Sequence, residues 1–346
     1  MTIVRTGANS STAAAEEFTG VIHPMEPLTF TPILKRIRWG GSRLGTLLKK
    51  PVGTESDYAE SWEIADHADG QSYVCSGDYS GMALTELISQ QPEELFGRHA
   101  GVSQFPLLMK FLDANDWLSL QVHPDDVLAR QFNARENGKT EAWVIIDAAQ
   151  DSRICAGLKP GVDARQLRRA VESGHVESCL HIYPVKPGDC IYVPAGTVHA
   201  LGPGIVLAEI QQQSNLTFRL HDWGRVGADG KPRPLHLDES LACTDFNRGP
   251  VDPVKPVQLA GTTHVFEELV RCPYFVIRRH QSANPFAVRC DNRFRVVMVL
   301  EGKGVLQTTR TELLLNPGQT VLLPASCASV EILPETPITV LEVLQP

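Results

Sequence analysis

The sequence lacks the features that would indicate a membrane segment or a nucleic-acid surface. No apolar run approaches the roughly 18 residues needed to span a bilayer. The N-terminus has no basic stretch followed by an apolar one, as a secretory signal would have. Lysine and arginine form no block, and the formal net charge is −8. We therefore expect a cytoplasmic protein that binds neither membranes nor nucleic acid.

Closely spaced cysteine pairs are also missing. The eight cysteines, from Cys75 to Cys327, include no C-x-x-C pair. This spacing argues against a zinc ribbon, a redox motif or a compact disulfide scaffold. We expect most of the cysteines to be reduced and structural.

Short apolar runs broken by glycine and proline dominate the chain, which has 27 Gly and 24 Pro. Such a pattern is typical of antiparallel folds with many strands. Helical spacing occurs only in residues 84–96, 126–137 and 162–180. Residues 1–26 are rich in Ser, Thr, Ala and Glu and are predicted to form a mobile tail. A proline-rich stretch, residues 250–256, predicts a linker between a domain of residues 27–250 and a second of residues 251–346.

The second domain repeats part of the first. Residues 187–199 align without gaps with residues 317–329, and each segment reads as a turn, a buried strand and a second turn. On this alignment His199 corresponds to Ser329, and Glu141 corresponds to Arg295. We therefore predict a duplicated β module whose second copy keeps the fold without metal ligands.

Polar residues alternate with apolar ones in several predicted strands. The period of two places Ser119, Gln121 and His123 on one face of their strand. The same argument places Lys139 and Glu141 on one face of the next. Two later strands have polar faces that contain Glu209, and Arg219 with His221. Such faces in a closed β structure point to water or into a lined cavity.

Two histidines, a glutamate and a glutamine suit a divalent metal of the zinc, manganese or iron group: Gln121, His123, Glu141 and His199. A mixed nitrogen and oxygen set without thiolate predicts a catalytic site with an open position. A lone strand histidine is more often an ordinary hydrogen-bonded residue. Four converging polar faces and a Pro-Ala-Gly-x-x-His turn favour the metal site instead.

Several blocks together resemble the type I mannose-6-phosphate isomerases over roughly residues 28–346. They are residues 106–113, Leu-Ser-Leu-Gln-Val-His-Pro-Asp at 118–125, Gly-Lys-Thr-Glu at 138–141, Val-Pro-Ala-Gly-Thr-Val-His-Ala at 193–200 and Arg-Leu-His-Asp-Trp-Gly-Arg at 219–225. The resemblance implies a mainly β fold of two cupin modules, each a double-stranded β-helix or jelly roll, with a small helical portion. It also implies a zinc enzyme that interconverts mannose 6-phosphate and fructose 6-phosphate by proton transfer between C1 and C2 through a cis-enediol.

The resemblance further implies roles for individual residues. One Zn²⁺ per chain would be held by Gln121, His123, Glu141 and His199. Arg219, Glu209 and Lys139 would take part in catalysis, and Trp39, Lys110 and Ser119 would line the pocket for a phosphosugar. The sequence does not indicate an oligomeric state.

Three points stay open at this stage. Glu209 is our first choice for the base because burial can raise a carboxyl pKa towards neutrality, while a metal-bound hydroxide or a histidine is the alternative. Arg219 could instead be a structural partner of Asp222. The fold also permits another metal cupin enzyme, such as an iron-dependent dioxygenase, or a non-catalytic sugar-binding protein.

Overall fold

The computed structural model describes residues 24–226, 230–260, 264–327 and 329–346. Most of the predicted tail of residues 1–26 lies outside the described residues. Of its last three residues, Met25 is buried, and its backbone N–H donates a hydrogen bond to Ser326 Oγ at 3.1 Å. This end of the predicted tail thus lies against the protein core.

The part of the chain before residue 257, called the first half below, contains 13 of the 23 described strands. They are β1 Ile33–Gly41, β2 Tyr58–Ile64, β3 Asp66–His67, β4 Gly70–Gln71, β5 Leu107–Ala114, β6 Leu120–Val122, β7 Glu141–Ala148, β8 Arg153–Leu158, β9 Leu180–Pro184, β10 Cys190–Val193, β11 His199–Leu201, β12 Ile205–Gln212 and β13 Phe218–His221. After an irregular stretch at residues 251–256, the second half contains β14 Val257–Gln258, β15 Val265–Arg271, β16 Val276–Ser282, β17 Phe286–Arg289, β18 Arg295–Glu301, β19 Gly304–Gln307, β20 Glu312–Leu315, β21 Thr320–Leu323, β22 Ser329–Pro334 and β23 Ile338–Leu344.

The helices are short and lie mostly in the first half. They are α1 Arg43–Thr46, α2 Leu84–Gln90, α3 Pro92–Phe96, α4 Asp126–Phe132, α5 Ala164–Glu172 and α6 Leu237–Cys243, with 3-10 turns at Gly97–His99 and Val176–Cys179. The three predicted helical stretches are confirmed, although each holds a shorter helix or two, and α1 and α6 were not predicted. None of the described helices is both long enough and apolar enough to cross a lipid bilayer.

The described strands form the same arrangement twice. In the first half a six-stranded sheet, β1-β2-β5-β12-β7-β10, lies against a five-stranded sheet, β13-β6-β11-β8-β9. In the second half a six-stranded sheet, β14-β15-β16-β23-β18-β21, lies against a four-stranded sheet, β17-β22-β19-β20. The two six-stranded sheets have corresponding strand orders, and all their pairs are antiparallel. The predicted mainly β fold of two jelly-roll modules is confirmed. We call them the first and second module.

The largest core joins the two modules. Met109 on β5 and Val144 on β7 are fully buried on the outer face of the first six-stranded sheet. They belong to one apolar cluster with Val296 on β18 and Leu341 on β23 of the second. Because side chains alternate along a strand, the residues between these apolar ones point into the interior of each module. The eight cysteines are free, and all except Cys75 are buried.

The strand register supports the sequence alignment of the two modules. Glu141 on β7 lies opposite Val193 on β10, and Arg295 on β18 lies opposite Leu323 on β21. Val193 and Leu323 are matched positions of the repeated segment. Arg295 therefore occupies the position in the second module that Glu141 has in the first.

Candidate metal centre

Three neighbouring strands place polar side chains in one row inside the first module. Gln121 on β6 lies opposite Arg219 on β13 and opposite His199 on β11. Directly opposite residues of antiparallel strands point to the same face of the sheet. Pairing alone therefore brings together side chains that are up to 98 positions apart in the chain. Ser119, predicted to share this face, is buried just before β6.

The facing sheet contributes a second row. Glu209 on β12 lies opposite Lys110 on β5 and Trp143 on β7, and Gln211 lies opposite Glu141. These side chains alternate with the apolar residues that join the two modules. The module interface thus fixes which residues of β5, β7 and β12 point inward.

The two rows meet around Glu141. His123 Nε2 lies 3.6 Å from Glu141 Oε2, and His199 Nε2 lies 3.4 Å from Glu141 Oε1. Zinc binds nitrogen and oxygen at about 2.0–2.2 Å, so tetrahedral ligands lie roughly 3.3–3.5 Å from one another. Ligand atoms of His123, Glu141 and His199 all lie within 4.8 Å of one another, and the three side chains could hold a metal ion. The predicted fourth ligand, Gln121, places its amide Nε2 3.2 Å from His199 Nε2, so a half-turn of this amide brings its oxygen to the group.

Both imidazoles are prepared for ligation. Nδ1 of His123 donates to the Leu216 carbonyl at 3.0 Å, and Nδ1 of His199 donates to the Thr197 carbonyl at 2.8 Å. A carbonyl can only accept, so the proton lies on Nδ1 and the lone pair of each Nε2 faces Glu141. Burial lowers the pKa of His123 well below its ordinary value and the pKa of His199 to about 4. Both rings are therefore neutral at pH 7.

The Glu141 carboxylate fits a cation better than it fits the apolar interior. It is fully buried, and among the described residues its oxygens make no well-aligned hydrogen bond, although Lys139 Nζ forms an ion pair with Oε2 at 3.2 Å. Burial raises the pKa of Glu141 to about 7, against the lowering effect of Lys139. A buried, unsatisfied carboxylate is costly unless a charge partner accompanies it. The donor set and this carboxylate, which lacks well-aligned hydrogen bonds, together fit a divalent ion.

Lys139 is the side-chain cation closest to the ligand atoms. Its Nζ lies 3.1 Å from His123 Nε2 and 3.2 Å from Glu141 Oε2. The ammonium and a divalent ion therefore compete for the same nitrogen and oxygen atoms. Like charges at such distances repel strongly in a buried site.

Glu209 is held in a second ion pair deeper in the module. Lys110 Nζ lies 3.1 Å from Glu209 Oε2, and the Trp143 indole donates to Glu209 Oε1 at 3.1 Å. Burial opposes ionisation of Glu209, but Lys110 and Lys139 outweigh it and hold the pKa of Glu209 below its usual value. The expectation that burial would raise this pKa towards neutrality is wrong. Burial likewise opposes the charge of Lys110, and Glu209 with Glu60 reverses the effect, so the pKa of Lys110 is raised.

Arg219 lies at the solvent side of the ligand group. Gln121 and Arg219 are half-buried, whereas His123, Glu141 and His199 are at most 1% exposed. The Arg219 guanidinium donates to the Pro234 carbonyl at 2.9 Å, while its buried Nε has no hydrogen-bond partner among the described residues. Burial lowers the pKa of Arg219, although an arginine stays charged.

Asp222 is held by arginines that the sequence analysis did not consider. Arg225 donates to it at 2.6 Å, and Arg233 donates to both of its oxygens at 2.6 and 2.8 Å. These contacts do not support the alternative in which Arg219 is the structural partner of Asp222.

One predicted residue is surrounded by apolar side chains. Trp39 is buried in the apolar cluster that contains Leu112 and Ile145. Its predicted role in substrate binding remains a prediction. Sequence reasoning also missed Asp126 and Gln212, which hold the segment before Glu141, because nothing in their local patterns indicates a partner.

The equivalent position in the second module is filled by a guanidinium. Arg295 Nε lies 3.3 Å from Glu342 Oε1 and donates to the Arg289 carbonyl at 2.9 Å, while its NH2 lies 3.3 Å from Asp291 Oδ2. By register, Arg289 occupies the place of Gln121 and Glu342 the place of Glu209. A tethered cation thus lies in the second module where the candidate metal ligands converge in the first.

Comparison with known proteins gives one consistent family. Residues 28–153 match the family model "Phosphomannose isomerase type I, catalytic domain", and residues 266–341 match "Mannose-6-phosphate isomerase, cupin domain". Mannose-6-phosphate isomerase ManA of Bacillus subtilis is 37% identical over 307 residues, which is 86% of this chain and 93% of that protein. Mannose-6-phosphate isomerase of Streptococcus mutans is 35% identical over 304 residues, 88% of this chain and 94% of that protein.

Solved structures agree with these matches. The crystal structure of the mannose 6-phosphate isomerase from Bacillus subtilis has a TM-score of 0.85 at 30% identity, covering 92% of this chain and 99% of that one. A mutant of the phosphomannose isomerase from Salmonella typhimurium has a TM-score of 0.73 at 15% identity, covering 93% of this chain and 100% of that one, and this likeness concerns the fold alone.

Proposed function

Because this chain belongs to the type I phosphomannose isomerase family, we propose that it interconverts mannose 6-phosphate and fructose 6-phosphate with one zinc ion per chain. The observation that carries the proposal is the meeting of His123, Glu141 and His199 in a buried group flanked by Lys139 and Glu209. The family supports the substrate, and the donor atoms support the metal.

Gln121, His123, Glu141 and His199 are the proposed zinc ligands. Two neutral imidazoles and a fully buried carboxylate suit zinc, and a nitrogen and oxygen set without thiolate is typical of catalytic sites. When bound, zinc supplies an electrophile for the sugar oxygen that becomes negative during the reaction. The carbonyls that hold Nδ1 of each histidine keep both rings in the required orientation.

The isomerisation needs one proton to move between two carbons. In the aldose-to-ketose direction we propose that Glu209 accepts the proton from C2 and returns it to C1, while one proton passes from the C2 hydroxyl to the C1 oxygen. The sugar passes through a cis-enediol and its atomic composition is unchanged. Lys110 keeps Glu209 ionised in its buried position, so the carboxylate is free of a proton at neutral pH, and the same ion pair lowers its strength as a base.

Cationic side chains would stabilise the charge that develops on the sugar oxygens. Lys139 lies at the ligand atoms, and Arg219 lies beside Gln121 at the solvent side. Both can act as fixed positive charges in a site of low dielectric. We propose that Lys110, Ser119 and Trp39 line the phosphosugar pocket. Remote binding of the phosphate would orient the sugar for proton transfer.

A coupled assay tests this function directly. Purified protein should convert mannose 6-phosphate to fructose 6-phosphate, lose this activity after dialysis against a chelator, and regain it when zinc is added. Activity that survives complete removal of metal, or an absence of fructose 6-phosphate in zinc-loaded protein, would contradict the proposal. Oxygen consumption restored by ferrous iron would favour the dioxygenase alternative instead.

A further inference from the structure

Asp126, the first residue of α4, is a junction of three hydrogen bonds. Its Oδ1 accepts from the Gly138 backbone N–H at 2.8 Å and from Gln212 Nε2 at 2.9 Å. Its Oδ2 accepts from the Tyr274 hydroxyl at 2.9 Å. Hydrogen bonds to an ionised carboxylate are stronger than those between neutral groups.

These bonds lead to the metal-ligand segment from both sides. Gln212 Oε1 accepts the backbone N–H of Thr140 at 2.9 Å, so the amides on either side of Lys139 depend on Asp126 directly or through one side chain. Thr140 immediately precedes Glu141, and Asp126 follows His123 by three residues. The approach at Gly138 is close, because a Cβ there would lie 2.5 Å from the Asp126 nitrogen. The junction thus joins the chain that leaves one proposed ligand to the chain that enters another.

Tyr274 is the part of this junction that belongs to the second module. It lies in the turn between β15 and β16, 148 positions from Asp126. Burial, together with the Asp126 carboxylate, raises the pKa of Tyr274 to about 12, so the hydroxyl remains a donor at neutral pH.

We infer that Tyr274 of the second module is a positioning residue, which acts through Asp126 to hold residues 138–141 in register for metal binding. This inference rests on the proposed function, and it gives the second module a part in the site to which it contributes no ligand. A cavity of about 410 Å³ borders Tyr274, Asp126 and Gln212. Water can therefore replace the lost hydroxyl in part, and we expect a graded effect.

Tyr274→Phe tests the inference with two readouts that do not need turnover. Amide hydrogen exchange at Gly138 and Thr140 should become about tenfold faster, the size of effect expected when one bond to a charged acceptor is lost. In protein loaded with Co²⁺, the visible spectrum should shift because the ligand geometry changes. Unchanged exchange together with an unchanged spectrum would overturn the inference.

Two control variants separate positioning from general stability. Tyr183→Phe removes a buried hydroxyl that has no hydrogen-bond partner among the described residues. Arg279→Gln removes another bond between the modules, the one to the Gly188 carbonyl at 2.7 Å. Both should leave the Co²⁺ spectrum and the exchange at Gly138 and Thr140 as in the wild type. The same changes in either control would overturn the specific role of Tyr274.

A double variant tests whether Tyr274 acts through Asp126. In the Asp126→Asn background, Tyr274→Phe should have less than about a twofold further effect on exchange, because the two residues act through one bond. Full additivity would overturn the route through Asp126. If Asp126→Asn does not fold, the single Tyr274→Phe variant decides the matter. A wild-type protein that binds no Co²⁺ would count against the proposed function, while the exchange experiment would still test the positioning role.

Discussion

At the scale of single residues, Lys139 has two opposing effects on the same site. Its ammonium lies within hydrogen-bond distance of atoms of two proposed ligands. It therefore lowers the pKa of the buried Glu141 against the larger raising effect of burial, and it opposes a divalent ion by repulsion. The same charge would stabilise an oxyanion of the substrate during the reaction.

Replacing Lys139 with methionine should separate these effects. We expect Lys139→Met to bind zinc at least as tightly as the wild type, because a repelling charge is removed. Turnover should fall about 100-fold or more, as with the loss of other groups that stabilise an oxyanion. Chelator competition and the coupled isomerase assay measure the two quantities. Loss of zinc binding would show that Lys139 holds the ligands in place instead.

The residue types of the site were predictable, but their ionisation was not. Gln121, His123 and Glu141 stand in alternating segments whose polar face can be read from the sequence, and His199 ends a Pro-Ala-Gly-x-x-His turn. The pKa of Glu209 depends on Lys110, which lies 99 positions away in the chain and opposite Glu209 in the sheet. A sequence does not reveal which strands are neighbours, so the direction of this shift could not be derived from it.

At the scale of strands and helices, the alternation of side chains was the most informative pattern. It placed Gln121 and His123 on one face of their strand. Glu141 points into the same interior because its neighbour Ala142 packs in the apolar core between the modules. The predicted helical stretches extend beyond the observed helices. After Phe132, for example, the polar pattern continues although the helix has ended. Helix α6 was missed since seven residues carry little periodicity.

Three neighbouring strands of the second module offer a test of its buried charges. Glu342 on β23 contacts Arg295 on β18 at 3.3 Å and His280 on β16 at 3.0 Å. We expect Glu342→Gln to lower the free energy of unfolding at pH 7 by about 3–5 kcal/mol, because it removes the buried counter-charge of Arg295 and leaves only the exposed Asp291. Urea unfolding followed by far-ultraviolet circular dichroism measures the difference.

The pH dependence of that difference has a definite sign. Burial opposes the charge of Glu342, but His280 and the two nearby arginines hold its pKa below the ordinary value. Its stabilising effect is therefore complete above about pH 4.3, the value in an unfolded chain, and is lost as the pH falls through the folded value. The wild type and Glu342→Gln should thus converge in acid. A constant difference down to pH 3 would contradict this account.

At the scale of the whole molecule, the sequence predicted two related modules but not how they pack. The repeated segment revealed the duplication because its turn residues are retained. The large apolar interface between the modules could not be predicted from the sequence, because Met109 and Val296 have the pattern of ordinary core residues within separate modules. The division of the chain near residue 250 remains a prediction, because this interface joins the modules in one core.

A single aromatic contact tests whether the modules unfold together. Phe294 of the second module lies 5.8 Å from Phe96 and 5.0 Å from Phe105 of the first, between ring centres. Phe294→Ala should lower the free energy of unfolding by about 3–5 kcal/mol. The five tryptophans all lie between residues 39 and 223, so their fluorescence reports on the first module only. The fluorescence transition should shift to lower denaturant although the change is in the second module. An unmoved transition would show that the modules unfold independently.

The guanidinium of Arg295 has a practical consequence for the fate of the protein when metal is scarce. An ion can be withdrawn by a chelator, whereas a covalently attached cation cannot be withdrawn or diluted away. The second module therefore has a permanent cation in its interior, and through the shared core it can support the first module when the proposed metal site is empty. We expect the protein without zinc to remain folded and inactive, and to bind zinc again when the ion is restored.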